Sequence, residues 1–441
     1  MPLRFLLAAL ALAFATLLFA DDKSDEPKPD LSARITSLKE LAVPLKSIDP
    51  TDEDFKDLEP LGKAIGNARI VQLGEQTHGD GATFHAKIRL IKYLHQKCGF
   101  DVIAFESGLY DCGKAWQHLK EGKESPLEAV RHGVFGIWTE SQQVQPLIDY
   151  LGKQAKTDKP LELAGFDCQF TGAAARKFLP QDLEAFLARL PEKVCSAEQR
   201  QTLIDGVKRM VEPTAGLEDK QSETLAAVRK ALVDATPDAK LTKEDLSFWR
   251  QYLESVAALA EAQPNLKSRE QEKQREYGNI RDAQMAKNLI WLAREKYPNR
   301  KIILWAASMH LQRNQKDVAP HYKNTTTLGN DAYKVLGPEV YSIAFTAYEG
   351  KWKHPWWGQE QLRAVPPPRA GSLEDLFAQA GFTNAFIDLK SNAAKAAWLK
   401  DKLSARPMGY SEMVAVWPNH FDGFVFTKTM FGSDRIERKQ P

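Results

Sequence analysis

The chain predicts an α/β fold, a largely parallel β-sheet flanked by helices with a helical insertion, and three observations carry that expectation. Short runs rich in Ile, Val and Leu recur at 68–73, 101–105, 161–166 and 301–306. Strand-like runs alternate with helix-like segments on both sides of a long helix-rich stretch, which suits crossover helices on a sheet. Each of the four runs also leads directly into ionisable residues: Glu75 and His78, Glu106, Asp167, and His310. Open α/β sheets place their sites beyond the carboxyl ends of strands, so these side chains are expected at one common edge.

At the amino end, an apolar run from Phe5 to Phe19 follows Arg4 and precedes Ala20 and the acidic Asp21-Asp22. This reads as a signal peptide over residues 1–20, with an uncleaved membrane anchor as the alternative. The run is short for a span of ~20 apolar residues, and no other long uncharged segment follows, so no stable membrane insertion is expected after cleavage. The protein is expected to be exported, periplasmic or secreted. No Cys lies near the cleavage point to carry a lipid. Residues 21–30, charged and carrying Pro27 and Pro29, are expected to form a flexible leader.

Ordered structure is expected from Leu31. Apolar spacing predicts a helix over 35–43 ended by Pro44, a strand over 68–73, and a helix over 83–97 closed by Gly99. Phe84, Ile88, Ile91 and Leu94 mark the buried stripe of that second helix, and Lys87 falls within the stripe. Such a cation either faces the site or lies at the margin and snorkels to water. Residues 31–178 are taken as the first part of an α/β domain and 179–274 as the insertion, with helices over 183–190, 198–211, 223–233 and 244–262. Residues 275–435 form the second part. Its helix over 279–296 aligns Arg281, Met285, Asn288 and Leu292, strands are predicted at 302–306, 340–346, 385–389 and 423–426, and a helix at 373–380.

The charge balance gives no argument for a nucleic-acid partner, and none is expected: the formal net charge is +2, and +1 once Arg4 is removed. With 43% apolar residues the chain can bury a large core. Cys98, Cys112, Cys168 and Cys195 show no metal-ligand spacing and read as buried thiols or as one bridge. No GxSxG elbow, phosphate loop, HExxH or GxGxxG follows a strand. Ser107 and Ser308 lie beside the site residues and could serve as nucleophiles. His85, His95 and His118 read as surface or interhelical groups, His132 as a loop or capping residue, and His321 and His420 as structural.

Glu75 and His78, three residues apart in Leu73-Gly74-Glu75-Gln76-Thr77-His78-Gly79, suit proton transfer. An imidazole takes a proton from water near neutrality, and a carboxylate beside it fixes the tautomer. Lys87 or Arg281 could meet the negative charge of a tetrahedral intermediate or bind a substrate carboxylate. The same imidazoles and carboxylates could instead ligate zinc or iron. Residue types alone leave both open, so cofactors are unknown and a divalent metal is the alternative to none. The segment 351–358 holds Trp352, His354, Trp356 and Trp357, either a platform for an apolar ring or sugar face or a loop tucked into the core.

Several blocks together resemble the erythromycin esterase family: the 73–79 loop, the helix with Lys87 and Arg89, Phe105-Glu106-Ser107, Gly136 to Glu140 with Trp138, Gly165-Phe166-Asp167, Arg281 to Asn288, and Phe421 to Val425. The resemblance covers most of the chain after residue 20. It implies a largely parallel α/β fold with a helical excursion and hydrolysis of an ester, in its best-known members the macrolide lactone. His78 then matches the histidine that activates water, Glu75 and Glu106 the site carboxylates, Arg281 and His310 the second-half site residues, and Lys87 the basic residue on the helix. One departure stands out: where the family often reads Trp-Ala-His-Asn-x-His, this chain reads Trp305-Ala306-Ala307-Ser308-Met309-His310.

The expectation is a hydrolase of a small-molecule ester or lactone. His78 serves as general base, Glu75 as its orienter, and Glu106 and His310 as groups shaping the site. Lys87, Arg281, Trp352, Trp356 and Trp357 are the expected substrate contacts. The alternatives are a binding protein for a metal or haem-like ligand, and a fold-preserving member that has lost activity.

Overall fold

The computed structural model describes residues 30–212, 216–318 and 323–437, so the expected signal peptide, almost all of the leader, and His321 lie outside the described residues. Asp30 does not belong to a flexible leader. It is the N-cap of a helix over Leu31–Leu41 and accepts a hydrogen bond from the Ala33 N–H. The helix ends two residues earlier than its apolar spacing suggests, because Val43–Pro44 (β1) leaves it to pair at the sheet edge.

The main strands follow as Ile70–Leu73 (β2), Val102–Gly108 (β3), Glu162–Asp167 (β4), Ile302–Trp305 (β5), Val340–Trp352 (β6), Arg363–Ala364 (β7) and Asn384–Asp388 (β8). Leu403–Ala405 (β9) and Met413–Ala415 (β10) make a separate hairpin sheet, and Gly423–Met430 (β11) returns to the main one. The main sheet runs β1-β8-β11-β6-β2-β5-β3-β4, with β7 added to the far end of β6. The six strands from β11 to β4 are parallel; β8 is antiparallel to β11, and β1 to β8.

Side-chain alternation explains why these strands read as continuous apolar runs. Ile70, Ile302 and Leu304 face one core, with the helices that follow β4; Val71, Leu73, Ile303 and Trp305 face a second core with the Gly81–Cys98 helix. Both faces of a parallel sheet are covered, so both sets are apolar. Among the described residues five α-helices stand between β4 and β5: Ala174–Leu187, Ala197–Met210, Asp219–Val233, Lys243–Ala262 and Gln271–Trp291. The last is tied to β4 by a hydrogen bond of 3.0 Å from Asn288 Nδ2 to the Phe166 carbonyl.

The Gly81–Cys98 helix stops where expected: Gly99 takes φ 73° and its N–H reaches the Leu94 carbonyl, a left-handed position at which only glycine is unstrained. Elements without a prediction include helices at Leu109–Glu121, Pro126–Arg131, Gln145–Gln154 and Leu328–Leu336. All four cysteines are free thiols, and Cys112, Cys168 and Cys195 are buried. Among the described residues no helix is long and apolar enough to cross a membrane.

Candidate active site

The loop after β2 delivers two of the expected residues in contact. Glu75 is fully buried. Its Oε1 accepts from the Trp138 indole N–H at 3.1 Å and lies 2.8 Å from His78 Nδ1, while Oε2 accepts from Lys87 Nζ at 2.7 Å. Three donors thus converge on this carboxylate. Lys87 does not snorkel. Its ammonium has no exposure and sits 3.9 Å from the centre of the Trp305 ring, and burial drives its pKa down to about 8 against the pull of Glu75. In this structure Lys87, one of the residues expected to contact substrate, meets Glu75.

The chain reaches His78 by a tight path. A β-carbon on Gly79 would lie 2.6 Å from the Lys353 carbonyl group and 2.9 Å from the His354 nitrogen, so glycine is required for the loop to pass beside the end of β6. Asp80, buried behind it, accepts from the Tyr410 hydroxyl at 2.7 Å, and burial raises its pKa to about 7.

Glu106, at the end of β3, anchors a second cluster. It accepts from Arg281 Nη2 at 2.8 Å and from the Ala307 N–H at 2.9 Å. Burial alone would raise its pKa, but His310 and Arg281 hold it well below the usual carboxylate range. Arg281 also binds Asp167 at the end of β4, with Nη2 to Oδ2 at 2.6 Å and Nε to Oδ2 at 3.1 Å. His310 Nδ1 lies 2.9 Å from both oxygens of Asp282, and Nε2 lies 3.3 Å from Glu106 Oε1. Burial opposes its protonation, yet Asp282 and Glu106 raise its pKa to about 10. Both ring nitrogens then donate, and Arg281 Nη1, 3.3 Å from Nε2, is a neighbouring cation and not a donor to it.

The two clusters lie near each other, and Glu106 acts electrostatically on His78. The His78 pKa is raised overall: burial lowers it, while Glu75 and Glu106 more than compensate. Its side chain keeps 30% exposure. Around it, its ring meets Trp138 edge-on at 5.3 Å and His354 at 6.4 Å, and His354 packs on Trp357 at 4.4 Å and Trp352 at 5.8 Å. Trp356 turns away, donating to Glu140 at 3.2 Å and packing on Phe135. Trp352, Trp356 and Trp357 are half-buried, between the two arrangements the sequence leaves open.

Glu75, His78, Glu106, Asp167, Arg281 and His310 thus share one end of the sheet. Trp138 and Asp282 join them without having been singled out as site residues. Ser107 and Ser308 are fully buried; Ser107 Oγ accepts from the Phe135 N–H at 3.0 Å, and Ser308 packs under Gly74. Neither is presented to a substrate. The donor set fits a metal poorly, because cationic and N–H groups already occupy the oxygens of Glu75 and Glu106.

The erythromycin esterase family model matches residues 95–430, a span that begins after the loop holding Glu75 and His78. A Bacillus subtilis protein named "Putative hydrolase YbfO" is 27% identical over 86% of this chain and 87% of its own. An Escherichia coli protein named erythromycin esterase type II is 20% identical over 79% and 87%. Among solved structures, a Bacillus cereus protein superposes with a TM-score of 0.75 at 20% identity, covering 93% of this chain and all of that one. An erythromycin esterase mutant in an open conformation gives 0.62 at 19% identity, covering 88% and 97%. With the family model spanning most of its length and this fold beneath it, the chain belongs to the erythromycin esterase family, as a hydrolase of that kind.

Proposed function

We propose that the protein hydrolyses a small-molecule ester or lactone by general-base activation of water at His78. One observation carries the reading: buried Glu75 holds Nδ1 of an imidazole whose side chain keeps 30% exposure. Glu75 fixes the proton on Nδ1, which leaves the Nε2 lone pair for water. Nε2 takes a proton as the hydroxyl oxygen bonds to the carbonyl carbon, and the resulting imidazolium returns that proton to the leaving alkoxide. Glu75 and Glu106 stabilise the intermediate cation.

The oxyanion is met by directed donors and not by net charge. Around Arg281 and His310, two cations face three carboxylates, Glu106, Asp167 and Asp282. Arg281, 15% exposed, and His310, 10% exposed, are the groups proposed to offer N–H donors to developing charge. Trp352 and Trp357 beside His354 are proposed to take an apolar face of the substrate, with Trp356 bordering them.

The test is turnover of a mixed lactone and ester panel, with and without chelator, beside His78→Ala. Chelator-resistant turnover that disappears in the variant supports this reading; a folded wild type inert on every substrate, or a variant as active as wild type, defeats it. Export is proposed from the Phe5–Phe19 run alone, and amino-terminal sequencing of the mature protein checks it.

A further inference from the structure

A second group of ligating side chains lies apart from this site. His118 is in the last turn of the Leu109–Glu121 helix, Glu124 in the loop that follows, and His132 caps the end of the Pro126–Arg131 helix. His118 Nδ1 is 3.4 Å from Glu124 Oε1, His132 Nε2 is 2.9 Å from Glu124 Oε2, and the three donor atoms lie within 4.8 Å of one another. The imidazole rings stack at 4.2 Å, and Phe178 packs at 5.5 Å from one and 5.8 Å from the other. The rings are held in place, His132 nearly buried, while Glu124 keeps 33% exposure and leaves an approach from solvent.

From this geometry we infer that His118, Glu124 and His132 form a reversible site for a divalent transition ion of the zinc class. Two imidazole nitrogens and a carboxylate suit such an ion, with water completing the shell. Bonds of about 2.0–2.2 Å in tetrahedral geometry place donors about 3.3 Å apart, near the two separations above. Lys177 is the cation close to His132 and works against occupancy. Metal on Nε2 also moves the ring proton to His132 Nδ1, which is buried and has no acceptor among the described residues. Tightly bound metal histidines normally have that second hydrogen bond, so the ion here exchanges readily.

Occupancy would pin His132 and the chain beyond it. The His132 carbonyl accepts from the Ala174 N–H at 2.9 Å, and the Gly133 carbonyl from the Thr171 hydroxyl, which itself accepts from the Gly108 N–H at the end of β3. The same segment continues to Trp138.

The experiment titrates zinc into the chelator-treated full chain by calorimetry, with thermal denaturation alongside, for wild type, His118→Ala, Glu124→Gln and His78→Ala. Expected is one ion per wild-type chain with a rise in Tm, unchanged in His78→Ala and weakened at least about tenfold in both His118→Ala and Glu124→Gln. Circular dichroism confirms that these partly exposed substitutions leave the fold intact. No binding to wild type overturns the inference. So does binding that persists in His118→Ala and Glu124→Gln, or that disappears in His78→Ala.

Discussion

Lys87→Met probes the buried ion pair on which the Glu75–His78 arrangement rests. The substitution keeps much of the stem volume and removes an ammonium 2.7 Å from Glu75 Oε2. Glu75 retains Trp138 and His78 as donors, but its charge is left short of a cation at a position with no exposure. Breaking a buried pair on one side costs about 3–5 kcal/mol. The lost cation–π contact with Trp305 adds about 1 kcal/mol, which a methionine sulfur on the same ring offsets in part. The expected loss at pH 7 is therefore about 3–5 kcal/mol in urea unfolding followed by fluorescence and circular dichroism. Glu75→Gln/Lys87→Met leaves no unpaired charge, so the double variant should be more stable than the sum of the singles by at least about 2 kcal/mol. Because burial lowers the lysine pKa from 10.5 to about 8, the unfolded chain holds that proton more tightly than the native one, so wild type should gain stability relative to Lys87→Met as pH rises above about 8. The reasoning is refuted if Lys87→Met costs under about 1 kcal/mol and the two substitutions are additive.

Other outcomes follow from the same geometry. The acid limb of kcat/KM should lie above pH 6.5, since His78 must be neutral to act and its pKa is raised; Glu75→Gln should move that limb to lower pH, as a pH–rate profile would reveal. His310, lifted from 6.5 to about 10, adds stability that is fully present below pH 6.5 and fades as pH rises through 10. The upper bound is about 5 kcal/mol, so wild type should lose more stability than His310→Gln between pH 7 and 10, and parallel curves would count against the assignment. Asp282→Asn should lower the His310 pKa by more than one unit, about 1.4 kcal/mol, read from its ring proton shifts in NMR. Gly79→Ala must displace the Lys353–His354 backbone and should reduce turnover more than it lowers Tm, with equal turnover arguing against a loop fixed there.

Much of the fold is legible because its strands are buried on both faces. Ile302, Ile303, Leu304 and Trp305 need no alternation to be recognised, and the residue after each run announces the sheet edge. Strand ends also explain why Glu75, Glu106, Asp167 and His310 could be expected together without any contact being known. The missing partners fail for identifiable reasons. Asp282 follows Arg281 by one residue and so lies about 100° around the helix, off the stripe that Arg281, Met285 and Asn288 define; it reaches His310 because that residue approaches from another side. Trp138 sits on a single helical turn, Gly136–Thr139, too short to display a period. The Leu109–Glu121 helix carries a stripe of Leu109, Cys112, Trp116 and Leu119, all buried, yet it begins directly at the end of β3, where the ionisable residues dominate the reading.

The two histidines differ less in burial than in what faces them, and the proposed mechanism rests on that difference. His78 meets one carboxylate, and that carboxylate already answers to Lys87 and Trp138. Burial lowers the proton affinity of His78 while Glu75 and Glu106 raise it, with a net upward shift, and its side chain keeps 30% exposure. His310 stands between Asp282 and Glu106 and keeps its proton to about pH 10, which makes it a fixed cation and a poor base. On the proposed mechanism, two like groups separated in this way would divide acid–base work from electrostatic work. Position 307 fits the same division. There the backbone N–H of alanine, and not a second side chain, holds Glu106 at 2.9 Å, so this chain positions its second carboxylate through the peptide and through Arg281. The imidazole close to His78 is then His354, from the end of β6, with burial lowering its pKa to about 3. It is a neutral neighbour that packs against His78.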